Sequence, residues 1–395
     1  MTLTESFWLK AVSRPGRVVF AIMFALESFA RALLATIIPL QAYALLQSAR
    51  DVSLLNTLVA IAGLVSSFAI PFLIRRFRRR WVYTAGLVSL MVAAGLLATH
   101  VLLGQVGGML LRAFAVAATN IALTLYVLDH IRRKDLIHME PLRIALSTLS
   151  WALGPVLGVW LYESVAVGAA EALSATAAAV LIGYFWYLRL HENPAVAAAT
   201  RPPPNPFTAI RRFLAQPRLR LGWFIPFSRS TWWAMLYVYP PLYLLQADKG
   251  EFMGGLLVSA CNALLILAPL FGKLARRTGI RRPIIGAFCA VGVCTIAAGL
   301  LYAHPLAVAA AILLGAVPCV MLDTVGNIPF MRSVRPLERP QMATVFRTYI
   351  DLSDLLPGAV YSVLLTFFDI RAVFFACGLF MFVAAAVARF LPKRL

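Results

Sequence analysis

Apolar residues run along this chain in blocks of about 20, separated by short polar stretches. The first, "RVVFAIMFALESFARALLATIIPLQAYALL", and the last, "IRAVFFACGLFMFVAAAVA", have the same character. A helix of about 20 residues crosses the roughly 30 Å hydrocarbon layer of a bilayer, so each block predicts a membrane-spanning helix. Spans are expected over 16–46, 53–74, 81–103, 105–130, 141–163, 167–190, 221–246, 252–274, 282–303, 305–331, 341–367 and 370–392. The fold class predicted by this pattern is an all-α membrane protein with twelve transmembrane helices.

Composition agrees with the pattern. The chain is 61% hydrophobic and 13% charged with mean hydropathy +0.83, whereas soluble domains are about 45–50% apolar and about 25% charged. The net charge of +20 would suit an acidic partner, but its placement points elsewhere. Of the 36 Lys and Arg, Arg50, Lys249 and Arg371 fall in loops of one side, and Arg31, Arg112, Arg143, Arg229 and Arg347 fall inside spans. All the others lie on the side of the two termini, which the positive-inside rule assigns to the cytoplasm. The lipid bilayer, with its anionic headgroups, is therefore the expected partner of the basic loops, and nucleic acid is not. A multi-pass protein of the plasma membrane, or of the inner membrane in a bacterium, is expected. No cleavable signal peptide is expected, because the first apolar run is too long for one. Cys261, Cys289, Cys294, Cys319 and Cys377 all lie in later spans without metal-ligand spacing, and read as small packing residues.

One segment interrupts the membrane pattern. Residues 193–220 contain "RPPPNP", an extended linker composition, followed by "FTAIRRFLAQ". Phe207, Ile210 and Leu214 would share a helical face there, predicting either a short helix at the cytoplasmic interface or an ordinary solvated loop. The linker separates a block of six spans, 1–192, from a second block, 221–395. The two blocks repeat at an offset near 202. "PFLIRRFRRR" follows the second span and "GKLARRTGIRR" the eighth; Pro155 matches Pro357, and Pro39 matches Pro240 or Pro241. Parallel six-span repeats predict a substrate site near the membrane midplane with the halves rocking around it.

With these landmarks the chain resembles the major facilitator superfamily. The family's loop pattern, Gly-x-x-x-Asp-Arg-x-Gly-Arg-Arg/Lys, is matched after the eighth span by Gly272, Arg277, Gly279, Arg281 and Arg282, with Ile280 as one extra residue. The copy after the second span keeps Arg76, Arg79 and Arg80, with Pro71 and Arg78 in place of the glycines. Arg75 and Arg276 stand where the family has the aspartate of its cytoplasmic latch. Arg112 in the fourth span sits where proton-coupled antiporters carry an arginine, although Ala115 and Val116 replace the Gln-Gly that follows. In the fifth span Gly154, Pro155 and Gly158 match most of the antiporter signature Gly-Pro-x-x-Gly-Gly. The resemblance implies a major facilitator fold and a transporter most like the drug:proton antiporters, working by alternating access with protons as co-substrate. A monomer without cofactors is expected.

Charges inside spans carry the candidate chemistry, since each costs about 2.5–3.5 kcal/mol at the bilayer centre and must face a partner or a wet cavity. Glu27 and Arg31 are one turn apart. Matching Pro39 to Pro241 sets Glu27 opposite Arg229 and Arg31 opposite Trp233. Two arrangements follow: a Glu27–Arg229 pair bridging the halves, with Glu27 able to exchange a proton, or a Glu27–Arg31 pair within one helix. Asp323 in the tenth span aligns with Asn120 in the fourth. Arg347, Asp351 and Asp354 line one face of the eleventh, as proton or substrate ligands or as a salt-bridge ladder. Trp232 and Trp233 lie near mid-depth and could grip flat or cationic ligands.

No phosphate-binding loop is present, and the five histidines are scattered without metal spacing. A transporter is therefore expected, not an enzyme. Two substrate classes remain open: small amphipathic organic compounds exported against protons, and anionic or otherwise charged metabolites recognised by the intramembrane arginines.

Overall fold

The computed structural model describes residues 17–130, 133–188, 206–334 and 339–392. Among them 11 helices are long and apolar enough to cross a membrane. The seventh expected span also forms continuous helix, Pro217–Gln246, containing Pro226, Pro240 and Pro241. Its tryptophans, tyrosines, prolines and Arg229 make it less apolar than the others.

The first span is not one rod. It runs as Arg17–Leu33, turns over 34–36, and resumes as Ile37–Leu46. Pro39 has no N–H to offer the carbonyl four residues earlier, so the helix breaks upstream of it. The Ala35 N–H is diverted to the Ala32 carbonyl at 3.1 Å. The remaining spans of the first half follow as Ala49–Phe77, Arg79–Leu97, Leu102–His130, Arg133–Ser164 and Ala169–Tyr187. In the second half the eighth span is Gly250–Ala263, a single 3-10 turn at Leu264–Leu267, and Ala268–Thr278. Arg281–Leu300, Pro305–Val325 with Ile328–Ser333, Arg339–Phe367 and Ile370–Ala388 complete it.

Packing groups the chain into two compact units, Met1–Leu45 with Ile61–Arg201, and Leu46–Ala60 with Pro202–Leu395. The first part of the second span therefore belongs with the C-terminal block, which the expected boundary at 192 does not anticipate. Ser53 is one residue that joins it to that block. Its hydroxyl lies 2.6 Å from the Tyr239 hydroxyl and donates to the Gly358 carbonyl at 2.9 Å.

Each unit has its own core. In the first, Phe20, Met23, Tyr83, Leu123, Tyr126 and Phe185 are buried together. In the second, Phe213, Phe227, Phe330, Met342, Phe346 and Tyr349 cluster, with the Phe330 and Phe346 rings stacked at 3.8 Å. Val65, Phe68 and Phe72 of the second span stay exposed, as the apolar interior of a bilayer permits. Lipid gives helices no hydrophobic reason to associate, so close approach at small residues matters more. Gly292 and Gly378 supply it where the ninth span meets the twelfth: a Cβ on either would stand 3.1 Å from the other's carbonyl oxygen.

The linker helix is real, over Pro206–Ala215, but its buried face is not the expected one. Phe213 is the buried residue, packed 6.3 Å from the Phe330 ring, while Leu214 is 56% exposed. Docking on the second unit sets the orientation. The Phe207 side chain lies outside the described residues.

The two basic loops share a backbone feature that their sequences disguise. Gly279 has φ 77° and ψ 179°, and Arg78, its counterpart, has φ 63° and ψ 150°. That region is almost confined to glycine, and another residue held there costs about 1–3 kcal/mol. Arg78→Gly should therefore raise the unfolding temperature of the detergent-purified protein, by the equivalent of about 1 kcal/mol after the extra unfolded-state freedom of glycine is offset. An unchanged or lowered transition would show that the Arg78 side chain contributes more than its backbone costs.

Candidate functional site

The break in the first span creates the polar node of the first unit. Because the Ala35 N–H turns to Ala32, the Arg31 carbonyl is left without its helical donor, and Arg112 of the fourth span supplies one through Nη2 at 3.0 Å. The Arg31 side chain reaches back one turn, its Nη1 3.2 Å from Glu27 Oε1. The same carboxylate oxygen accepts from Thr119 Oγ1 at 2.9 Å. Glu27 is 2% exposed, and the Arg31 guanidinium lies 5.9 Å from the centre of the Trp151 ring. The Nε atoms of Arg31 and Arg112 are both buried without a hydrogen-bond acceptor. One acid between two guanidinium groups leaves this node with a net positive charge.

Serines and glycines fix the scaffold around it. Ser174 donates to the Ala30 carbonyl at 2.7 Å and Ser150 to the Ala25 carbonyl at 3.1 Å. A Cβ on Gly154 would stand 2.5 Å from Ala32 Cβ, and one on Gly158 would stand 1.9 Å from the Leu33 carbonyl oxygen. The fifth span thus touches the backbone of the first just before its break, with buried Pro155 between the two glycines. These glycines hold the segment that carries Arg31 and the turn after it.

The second unit builds a matching node with reversed polarity. Arg229 Nε lies 3.1 Å from Asp323 Oδ1, within ion-pair range although the N–H is not aimed at the oxygen. Trp233, one turn after Arg229, donates its indole N–H to Asp323 Oδ2 at 2.9 Å. Tyr349 of the eleventh span lies under the guanidinium, 5.7 Å from ring centroid to Cζ, with its hydroxyl 3.4 Å from Nη2. In the first unit the acid is on the first span and a neutral hydroxyl on the fourth; here the cation is on the seventh and the acid on the tenth. The charges balance in this node.

Where the sequence offered a Glu27–Arg229 pair or a Glu27–Arg31 pair, each unit holds a pair of its own. Glu27 takes Arg31 and Thr119, and Arg229 takes Asp323. Trp232 departs from expectation: it is fully buried, its indole N–H on Thr295 at 2.9 Å, and is core packing. Trp233 instead carries the polar contact, and its ring stacks at 6.3 Å on Tyr237. Asn120 is half-buried and gives its backbone carbonyl to Thr124 at 2.7 Å. Its neighbour Thr119 is the fourth-span side chain that reaches Glu27.

The eleventh-span stripe is distributed along a partly open face. Arg347 and Asp354 are exposed and Asp351 is half-buried, with Arg347 close enough to act electrostatically on it. At the loop motif, Arg277 is exposed, Gly279 ends its helix at positive φ, and Gly272 lies close to the Thr324 methyl, where a Cβ would be 3.7 Å away. Sequence reasoning passed over Thr119, Trp151 and Tyr349. For Thr119 the available signal was its place beside Asn120, and for Tyr349 its place within the "VFRTYIDLSD" stripe.

Comparison with known proteins agrees with this architecture. The sequence profile of the Major Facilitator Superfamily matches residues 20–356. No curated protein matches the chain closely enough to count as a relative. Among solved structures, the nucleoside transporter NupG superposes with TM-score 0.73 at 14% identity, covering 96% of this chain and 99% of NupG. A POT family transporter in complex with 5-aminolevulinic acid gives TM-score 0.73 at 12% identity, over 95% of this chain and 96% of that one. The peptide transporter POT in complex with sulfate gives 0.71 at 14% identity, covering 98% and 95%. At such identities the likeness speaks to the fold alone, and the profile speaks to the family. The chain belongs to the Major Facilitator Superfamily, and it is a multi-pass membrane transporter and not an enzyme.

Proposed function

We propose that this transporter moves small organic solutes bearing a carboxylate or similar anionic group, by alternating access, with a proton carried at Glu27. The observation that carries the reading is the positive node: Arg31 and Arg112 flank one acid, and each keeps a buried Nε without an acceptor. A planar guanidinium with open N–H groups suits a carboxylate through charge-assisted hydrogen bonds. The protein acts as a monomer in the plasma membrane, or in the inner membrane if the cell is bacterial.

Proton-driven export of amphipathic compounds is the second reading. The Gly154-Pro155-Gly158 motif and the span-seven aromatics favour it, but the glycines already have a packing role against Ala32 and Leu33, and Trp232 is core. Arg112 therefore weighs more heavily than the motif.

Thermal stabilisation of the detergent-purified protein separates the two. A bound ligand raises apparent stability as RT ln(1 + [L]/Kd). Carboxylates and zwitterions should stabilise the wild type, and Arg112→Ala should weaken that binding about 10- to 100-fold, the worth of one or two charge-assisted hydrogen bonds. Arg112→Lys should recover only part. Stabilisation by lipophilic cations, indifferent to Arg112→Ala, would replace this reading with the export one.

A further inference from the structure

The first unit holds another polar cluster, apart from the Glu27 node. Glu171 lies in the first turn of the sixth span, Gln41 in the second half of the first, and Gln105 at the start of the fourth. The end of an odd span and the starts of two even ones bring these residues to the same end of the bundle. They are 1%, 3% and 1% exposed. Gln41 Nε2 donates to Glu171 Oε1 at 2.6 Å, and Gln105 Nε2 donates to the Ile38 carbonyl at 3.0 Å. Ile38 and Gln41 are three residues apart on one helix, and so are neighbours on its surface at about 5–6 Å.

What remains unsatisfied is all of one kind. Glu171 Oε2, Gln41 Oε1 and Gln105 Oε1 are each buried with no hydrogen-bond partner. Both amide nitrogens already donate, Gln41 Nε2 to Glu171 and Gln105 Nε2 to the Ile38 carbonyl and the Met109 sulfur at 3.6 Å. No cationic side chain forms an ion pair with Glu171 among the described residues. The leftover set is one anionic and two neutral oxygens, closed off from solvent. The N-terminal dipole of the sixth span offsets part of the carboxylate charge, but it leaves the two amide oxygens without donors.

A guest that satisfies three acceptors and one negative charge must be a cation without acceptor needs of its own. Carboxylate and amide oxygens are the ligands of hard cations, and a single carboxylate matches a single positive charge. We infer that Glu171, Gln41 and Gln105 form a buried binding site for a monovalent metal cation of the sodium class. Binding there ties the outer half of the broken first span to the fourth and sixth spans, whatever solute the protein carries.

The test uses the full-length protein in detergent and sodium alone as probe. Radioactive sodium should bind saturably at one site per chain. The unfolding temperature should climb with sodium when choline holds ionic strength constant. Glu171→Gln should abolish both effects, and Gln105→Leu should weaken sodium binding at least about 10-fold. Absence of saturable sodium binding to the wild type would overturn the proposal, and so would binding unchanged in Glu171→Gln. Should Glu171→Gln fail to fold, Gln41→Leu replaces it: lost binding in a folded Gln41→Leu protein supports the site, and retained binding overturns it.

Discussion

Gly158→Ala should leave little folded protein in the membrane, because the added methyl would stand 1.9 Å from the Leu33 carbonyl oxygen. A backbone atom cannot swing aside as a side-chain end can. The helices must separate, and the contacts along the first and fifth spans separate with them. The expected loss is about 3 kcal/mol or more, at the upper end of overpacking effects. Gly154→Ala should be the milder lesion, since its Cβ would overlap less, 2.5 Å from the Ala32 Cβ and 2.9 Å from the Ala32 carbonyl carbon. Gly183→Ala in the sixth span is the control: nothing lies within 4 Å of its added carbon, and alanine is the better helix former. Size-exclusion profiles and unfolding temperatures of the three variants should rank Gly183→Ala first and Gly158→Ala last. Equal behaviour would mean that the fifth span does not rest on the backbone of the first.

The second large effect is expected at the Arg229–Asp323 pair. Arg229→Met leaves the Asp323 carboxylate with Trp233 as its polar partner in a mostly apolar surround, which should cost about 3–5 kcal/mol. Arg229→Met combined with Asp323→Leu removes both charges, and should be markedly more stable than the sum of the single changes. Chemical denaturation in mild detergent would measure the coupling. Simple additivity would show that the two side chains are satisfied separately.

Much of this fold was legible because lipid imposes a coarse rule: twenty apolar residues, a polar turn, and basic residues on one side. The repeat was legible too, since Pro155 and Pro357, or Gly279 and Arg78, answer one another at a nearly constant offset. The failures have physical reasons. Reading 16–46 as one helix missed the break because Pro39 marks a place where a break is permitted, while the bonds of Ala35 and Arg112 determine its form. Trp232 and Trp233 are adjacent, about 100° apart on the helix, and hydrophobicity alone does not say which faces the core. The grouping of residues 46–60 with the second unit involves contacts such as that between the Ser53 and Tyr239 hydroxyls, far apart in the chain. Glu27 had two candidate partners. The local one, Arg31, touches it, since a helix brings i and i+4 together without requiring any tertiary arrangement.

The node chemistry was less legible than the fold. Charges in spans announce themselves, but their partners are often uncharged. Thr119, Trp233 and Tyr349 complete the two nodes with a hydroxyl, an indole and a phenol, residue types too common in membrane helices to stand out.

We propose that the first-unit node couples a proton at Glu27 to an anionic solute at Arg31 and Arg112. Transport in proteoliposomes by the wild type and Glu27→Gln, with a carboxylate solute that stabilises the purified protein, tests it most directly. Glu27→Gln should still exchange labelled for unlabelled solute across the membrane, yet no longer respond to an imposed pH gradient. Accumulation that follows the pH gradient equally in both proteins would contradict it.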